Sequence, residues 1–568
     1  MRWILGVIAV GLVLRLFYVT YPLGDLHSWR QADTAAVARN LKAYGTELWL
    51  PLCKEEMKHI GVQGQECRVP LLNPQIDSFV TIDGKATWMD GLAHTNDTRN
   101  HFAEFPIYQA IVAQAAIIID AVPGIIDFLR GVEHAIEWAV ITVDPPANVE
   151  RMKEIEYQKN LTYGMGIDNV IVAGRLVSIG FSLWGILLLS LIVRKYFDES
   201  VAIVSAAIIG WLPYAVFWSR TVLPDTMMVT MCLAGLWALH NFMDAKNAKN
   251  KYFWAILVVI FWSIALLMKV FVLFLLVPVF WLLYVRYGLE FLRSWHFWVM
   301  LGLGILPFLL WRWWIHLDVL RLPGIPASGW LFNGSGVRLK PAWWYWLFQT
   351  RLDHYMFNFI GLGFVMIAVL LWQEVVKVLQ RQKETFQKAS YFWLFVLLAC
   401  FGYLVVFATG NLQHEYYQLP LVPFIAVLSA MGIVYIWNLD KTWHRLWKRA
   451  VVVGLLGLMW MFGMHKVIDW YGPRMPTYIY AGMRVAEVLP AEAIVVADFG
   501  GDTTMLYYTN RPGWSIVEFS FEELIKKGAT HYVSAFRSDG VNALAKQYVV
   551  VEETSEYVIL DLRDKVTE

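Results

Sequence analysis

Charge is what this chain has least of: Asp, Glu, Lys and Arg together make up 16% of its 568 residues, against roughly a quarter in soluble globular domains. With 58% hydrophobic side chains, there are too few ionised groups to coat a water-exposed surface. Neither sign dominates, since 47 basic residues face 46 acidic ones. No basic tail or patch is present, which excludes the electrostatic footprint of a nucleic-acid partner. Cysteine is scarce too. Of four cysteines, Cys232 and Cys400 fall inside apolar runs, where a thiol packs as a small hydrophobe. Cys53 and Cys67 share one long polar segment and form a disulfide if it faces an oxidising compartment; two free thiols are the alternative, and their spacing does not describe a zinc site. There is no internal repeat pointing to an inverted-repeat transporter and no low-complexity linker.

What is present is a series of apolar runs, each near the ~20 residues a membrane-spanning helix needs. They predict about 11 spans, beginning near residues 3, 168, 200, 224, 252, 271, 295, 356, 391, 417 and 447. The first run contains Arg15 and no small-residue cleavage site follows it, so it reads as a retained span rather than a signal peptide. Loop charge sets the orientation. Arg194/Lys195, Lys246/Lys249/Lys251, Arg286/Arg293, Lys377/Arg381/Lys383/Lys388 and Lys441/Arg445/Lys448/Arg449 alternate with poorly charged connections and mark the cytoplasmic side. The segments 25–167, 220–225, 315–354 and 410–417 then face outside, with a cytoplasmic N-terminus and an external C-terminus. Within the long first loop, Ile107 to Val143 is apolar enough to lie along the membrane surface, interrupted at Pro123.

The expected organisation is a transmembrane domain over residues 1–467, including the external loop 23–167, followed by a small α/β domain over 468–568. In that domain 493–497, 514–518, 531–535, 548–551 and 557–562 read as strands, while 521–528 and 541–547 read as helices. The Phe499-Gly500-Gly501-Asp502 turn is a tight strand-to-helix connection and is assigned no chemistry.

The first external segment, Gly24-Asp25-Leu26-His27-Ser28-Trp29-Arg30-Gln31-Ala32-Asp33, leads into small and apolar residues at helical spacing. Asp33 lies where a helix dipole favours a carboxylate, and capping of that helix is the plain structural reading. Further on, Glu104 precedes Phe105-Pro106 where the chain turns apolar again. Two carboxylate-bearing segments thus border one loop. Transfer chemistry at a hydroxyl or amine needs such a carboxylate as base and cations for a departing phosphate. Arg175, Arg220 and Lys269 sit within or at the edge of spans, where an ionised group faces a polar interior or snorkels to the interface. Asp225 is placed to pair with one of them. His414 and Glu415 stand at another external boundary beside Tyr417, and aromatic-belt anchoring accounts for the tyrosines but not for these two.

The run HSWRQADTAAVARN, then EFPIY, a Gly174-Arg175 pair opening the next span, Leu223-Pro224-Asp225 at a later span start, Met268-Lys269 at a short turn and HEYYQLPLVP near the end resembles the GT-C superfamily. The nearest branch is the protein mannosyltransferase-like and aminoarabinose-transferase-like one (glycosyltransferase family 39-like). The resemblance covers residues 3 to 467 and implies a polytopic α-helical fold. It implies a glycosyltransferase that moves a hexose or pentose from a polyprenyl or dolichyl phosphate donor on the outer face of the membrane. It implies a bacterial inner-membrane setting and an acceptor that is a protein, a lipid or a glycan. Asp33 is carried over as the first candidate base and Asp25 as the second, because relatives hold an Asp-Glu pair where this chain has separate aspartates. Glu104 would bind or organise the acceptor. Lys269, Arg175 and Arg220 would contact the donor phosphate; His27, Arg30, Asp225, His414, Glu415 and Tyr417 would line the site. Some members bind a divalent ion, but this loop offers no compact ligand set, and His27 with Asp25 fits hydrogen bonding better than ligation, so no cofactor is assigned. A transporter or lipid-linked-sugar flippase is the rival reading, since buried charges among many spans are common to both.

Overall fold

The computed structural model describes residues 1–44, 66–67, 79–81, 86–87, 105–122, 124–143, 167–314, 331–379, 390–439, 445–472, 476–517 and 519–566. Among these, eight helices are long and apolar enough to cross a membrane: Asn169–Tyr196, Asp225–Asp244, Ala248–Met268, Val270–Arg293, Trp295–Trp313, Pro341–Leu370, Glu415–Asn438 and Arg445–Trp470. All 11 expected span starts lie in a helix or within one residue of its start. Three of those helices, Arg2–Arg15, Glu199–Trp211 and Phe392–Val406, have only 14, 13 and 15 residues, below the ~20 that cross a bilayer unaided. The apolar stretch after Glu104 forms two helices, Ile107–Ala121 and Ile125–Val143, and Ile107–Ala121 is bent by 99° from the Ile125–Ile136 part of the second. The first of these ends at Ala121 and the second begins at Ile125. Counted as one bent span, this pair raises the number to nine.

The chain divides into two compact units. The first comprises Met1–Leu16, Ser178–Arg312 and Gly324–Asp469, and its described residues form helices and their connections without a strand. Its centre is the Glu415–Asn438 segment, buried over 89% of its most apolar stretch, against 11% for Trp295–Trp313. Helices that present apolar side chains outward in this way require hydrocarbon rather than water around them. The first helix is fastened to this unit by Arg15, whose buried guanidinium donates to Ser182 Oγ at 3.0 Å, Ser219 Oγ at 2.8 Å and the Gly210 and Ile209 carbonyls at 2.7 and 3.1 Å. Small residues let helices approach elsewhere. A Cβ on Gly432 would lie 2.1 Å from the Phe364 carbonyl oxygen, inside any van der Waals contact. Gly432→Ala is expected to destabilise by about 1–3 kcal/mol, the usual cost of overpacking, and thermal unfolding in detergent checks it.

The second unit comprises Phe17–Val177, Trp313–Pro323 and Trp470–Glu568. Near its start the helix Ser28–Tyr44 packs Val37 and Leu41 against Ala113 of Ile107–Ala121. A three-stranded antiparallel sheet joins β1 (Glu66–Cys67), β2 (Phe79–Thr81) and β3 (Ala86–Thr87). Cys53 and the side chain of Cys67 lie outside what is described. The C-terminal part holds a five-stranded sheet of β4 (Val495–Asp498), β5 (Gly513–Trp514), β6 (His531–Ser534), β7 (Tyr548–Glu553) and β8 (Val558–Lys565), in the order β5-β4-β6-β8-β7. β4 runs parallel to β5 and β6, and β8 pairs antiparallel with β6 and β7. The fold is therefore a polytopic helical membrane protein with a small C-terminal sheet domain. The expected strand 514–518 shrinks to Gly513–Trp514; at its start the chain passes so close to β4 that a Cβ at Gly513 would sit 1.7 Å from the Val495 oxygen. The 499–502 turn is the strand-to-helix connection expected, with Gly500 and Gly501 at φ +64° and +90°, values open to glycine at little steric cost. Two helices went unread in the sequence, Pro476–Val488 and Thr504–Thr509.

Candidate active site

The residues singled out in the sequence form two clusters, one in each unit. In the second unit the loop after the first helix is gathered by Arg175. Its Nη1 donates to the Tyr18, Val19 and Tyr21 carbonyls at 3.0, 3.2 and 2.5 Å, and its Nη2 reaches the Pro22 carbonyl at 3.4 Å and Asp25 Oδ2 at 3.3 Å. Both side chains are wholly enclosed. The Asp25 Oδ1 accepts from the Gly472 amide at 3.2 Å, and the Leu26 amide donates to the Trp470 carbonyl at 3.0 Å. The two Nη atoms of Arg175 thus donate to four backbone carbonyls and to Asp25. Asp25 is thereby the enclosed counter-ion of Arg175. The loop so held contains Tyr18 and His27 at φ +57° and +56°, a conformation that non-glycine residues adopt at a cost and that clusters at functional sites.

Asp33 does not cap its helix. The helix begins at Ser28, which puts Asp33 in the second turn, on a buried face. Its Oδ1 accepts from Thr503 Oγ1 at 2.7 Å, and the same hydroxyl lies 3.0 Å from the Trp29 carbonyl. Thr504 Oγ1 meets Ser28 Oγ at 2.9 Å, so the turn after β4 seats the beginning of the Ser28 helix. Burial pushes the Asp502 carboxyl up, opposed by hydrogen bonds from Thr504. His27 sits edge-on to Trp29 with ring centres 6.3 Å apart, and Arg30 is buried. Glu104 lies outside the described residues.

In the first unit, segments expected on the external side converge at one place. Lys269 ends the helix Ala248–Met268 in extended conformation. Its ammonium lies 2.8 Å from both oxygens of Asp225, the first residue of the helix Asp225–Asp244. The expected pairing of Asp225 is therefore with Lys269. The same ammonium stands 5.1 and 5.3 Å from the ring centres of Tyr416 and Tyr417, within cation–π range. His414 packs on both tyrosines at 5.3 and 5.0 Å. Arg220 is completely buried, its guanidinium 5.6 Å from the Phe217 ring. Glu415 is ion-paired to Arg351, and the Tyr214 hydroxyl donates to the Glu415 carbonyl. Arg351 also donates to the Leu412 carbonyl at 2.5 Å.

Arg351 was missed in the sequence. It stands in Trp346–Phe357, a π-helical insertion within Pro341–Leu370, and the run Gln349-Thr350-Arg351-Leu352-Asp353-His354 is the signal: polar residues in otherwise apolar surroundings, where π turns recur at functional places. Thr503 was missed because it neighbours a turn that offered no chemistry of its own. Two ion pairs, Lys269 with Asp225 and Arg351 with Glu415, thus lie on segments that Tyr214, Tyr416 and Tyr417 also reach. Among the described residues no three His, Cys, Asp or Glu side chains gather as a metal site.

Residues 161–314, which include Arg175, Arg220, Asp225 and Lys269, match the family model of dolichyl-phosphate-mannose-protein mannosyltransferase. Over 99% of its length the chain superposes on ArnT from Cupriavidus metallidurans bound to undecaprenyl phosphate, covering 98% of that chain at TM-score 0.56 and 12% identity. The chain has the GT-C fold. The apo form of the oligosaccharyltransferase from Archaeoglobus fulgidus shares this GT-C architecture at TM-score 0.52 and 10% identity, over 97% of this chain and 73% of that one. No curated protein matches in sequence. At such identities the GT-C likeness is one of backbone arrangement, and the chemistry has to be argued from the residues described above.

Proposed function

We propose that this protein is a membrane glycosyltransferase that moves a sugar from a polyprenyl or dolichyl phosphate to an acceptor on the outer face of the membrane. The observation that carries the reading is the enclosed Lys269–Asp225 pair flanked by Tyr416 and Tyr417, in a fold whose structural neighbour was crystallised with undecaprenyl phosphate. A departing lipid phosphate develops charge that fixed cations in a dry site stabilise strongly. The flanking tyrosines give Lys269 an apolar wall suited to the first isoprene units.

Asp33 serves as the base or orienting group for the acceptor, in a direct displacement at the anomeric carbon with the lipid phosphate leaving. Glu104 organises the acceptor, and His27 and Arg30 line the same loop. Loop charge puts the N-terminus in the cytoplasm and the C-terminal sheet domain outside, which removes cytosolic nucleotide sugars as donors. A bacterial inner membrane and a transferred hexose or pentose agree with this placement. The protein reconstituted in liposomes is expected to consume at least one labelled polyprenyl-phosphate hexose or pentose. Failure to consume any, with movement of the lipid-linked sugar between leaflets instead, would transfer the case to a flippase.

A further inference from the structure

The second unit contains a cleft of about 620 Å³ beside the Ser28–Tyr44 helix that the proposed chemistry does not use. Arg39 and Lys42 stand on its rim, three residues apart and therefore on one helix face. Asp120 and Asp168 oppose them, so the rim carries no net formal charge. Its groups hold one another in place. Lys42 Nζ lies 2.5 Å from Asp120 Oδ2, and Asn169 Nδ2 donates to Asp120 Oδ1 at 2.7 Å. Asp168 accepts from the Tyr507 hydroxyl at 2.6 Å and the Val170 amide at 2.9 Å. Arg39 Nη1 donates to the Tyr507 carbonyl at 3.0 Å, with the guanidinium 4.2 Å from that ring's centre.

These bonds leave capacity on both sides. Each carboxylate oxygen can accept about two hydrogen bonds, a lysine ammonium donates three and a guanidinium five, so donors and acceptors alternate around the opening. Ile167, Val170 and Met483 contribute apolar surface beneath them. An inorganic anion would gain from Arg39 and Lys42 but would sit beside two fixed carboxylates. A neutral polyol uses both kinds of group, and the C–H faces of its rings match the apolar floor. The volume lies in the range of sites that enclose small ligands.

We infer that this cleft binds a neutral saccharide, the glycan portion of the acceptor. The ligand chemistry stands on the cleft alone, and only its assignment to the acceptor rests on the proposed transfer reaction. The test uses the full chain in nanodiscs and saturation-transfer NMR with neutral tri- and tetrasaccharides of mannose, glucose, galactose and N-acetylglucosamine, without donor. At least one saccharide is expected to bind. Its affinity should fall about tenfold or more, a loss equal to about 1.4 kcal/mol, in Ala43→Trp, which fills the cleft from an exposed position while removing no hydrogen bond, and again in Asn169→Ala. Inorganic phosphate at equal concentration should not displace it. Absence of binding by every saccharide, unchanged binding in Ala43→Trp, or displacement by phosphate would overturn the inference. Donor consumption measured on the same preparation separates the two readings: saccharide binding without donor turnover sinks the transfer reaction alone, and turnover without saccharide binding sinks the cleft alone.

Discussion

Asp33→Asn is expected to cut sugar transfer by about 10²- to 10⁴-fold, the span a single positioned base contributes, with thermal unfolding close to wild type. The amide retains an oxygen that can accept from Thr503 Oγ1, now 2.7 Å from Asp33, and nearly the same volume. Charge and basicity are what disappear. The comparison with Asp25→Asn is decisive because the two aspartates are built into different surroundings. Asp25 is the enclosed counter-ion of Arg175, and removing one partner of such a pair costs about 3–5 kcal/mol by leaving a buried charge behind. The Asp25 variant should therefore lose stability first and activity in proportion to folded protein. Rates per folded molecule, from initial velocities corrected by unfolding curves, distinguish them. Full transfer by Asp33→Asn would move the base elsewhere.

Lys269→Met should act on stability and on chemistry at once. It removes the ammonium 2.8 Å from both oxygens of the buried Asp225, and the expected loss is again about 3–5 kcal/mol. The double variant Lys269→Met with Asp225→Leu replaces the pair by apolar groups of similar size, an exchange that is often neutral or better for stability. Unfolding should then recover toward wild type. Transfer should not: if the ammonium faces the donor phosphate, activity stays down by about 10²- to 10³-fold, the cost of removing one fixed electrostatic donor. Recovery of both stability and transfer in the double variant would make Lys269 a structural cation only.

The helical part of this protein is legible in its sequence because lipid imposes a simple rule, about 20 apolar residues per crossing, and the interruptions at Pro123, Lys269 and the 220–225 segment are chemically conspicuous. The C-terminal strands were readable for a similar local reason, as short runs of Val, Ile and Tyr between turn residues. What could not be read depends on distant partners. Arg175 stands out in the sequence as a cation at a span edge, but nothing local shows that four carbonyls from residues 18–22 accept from its guanidinium. Asp33 looked like a cap because Ser28 gives no stronger signal of a helix start than Asp33 does. Its partner Thr503 lies 470 residues away, beyond any periodicity. Arg351 was visible as a polar residue in an apolar run, but only topology pairs it with Glu415.

The Arg175 clamp has a consequence for biosynthesis. Residues 18–26 emerge early in translation, but their fastening guanidinium is encoded about 150 positions later and the closing contacts from Trp470 and Gly472 come only after nearly the whole membrane portion has been made. The segment that carries Asp25 thus waits, unfinished, through most of synthesis, and a ribosome-stalled or truncated product ending before residue 470 should expose it to proteases that spare the complete chain.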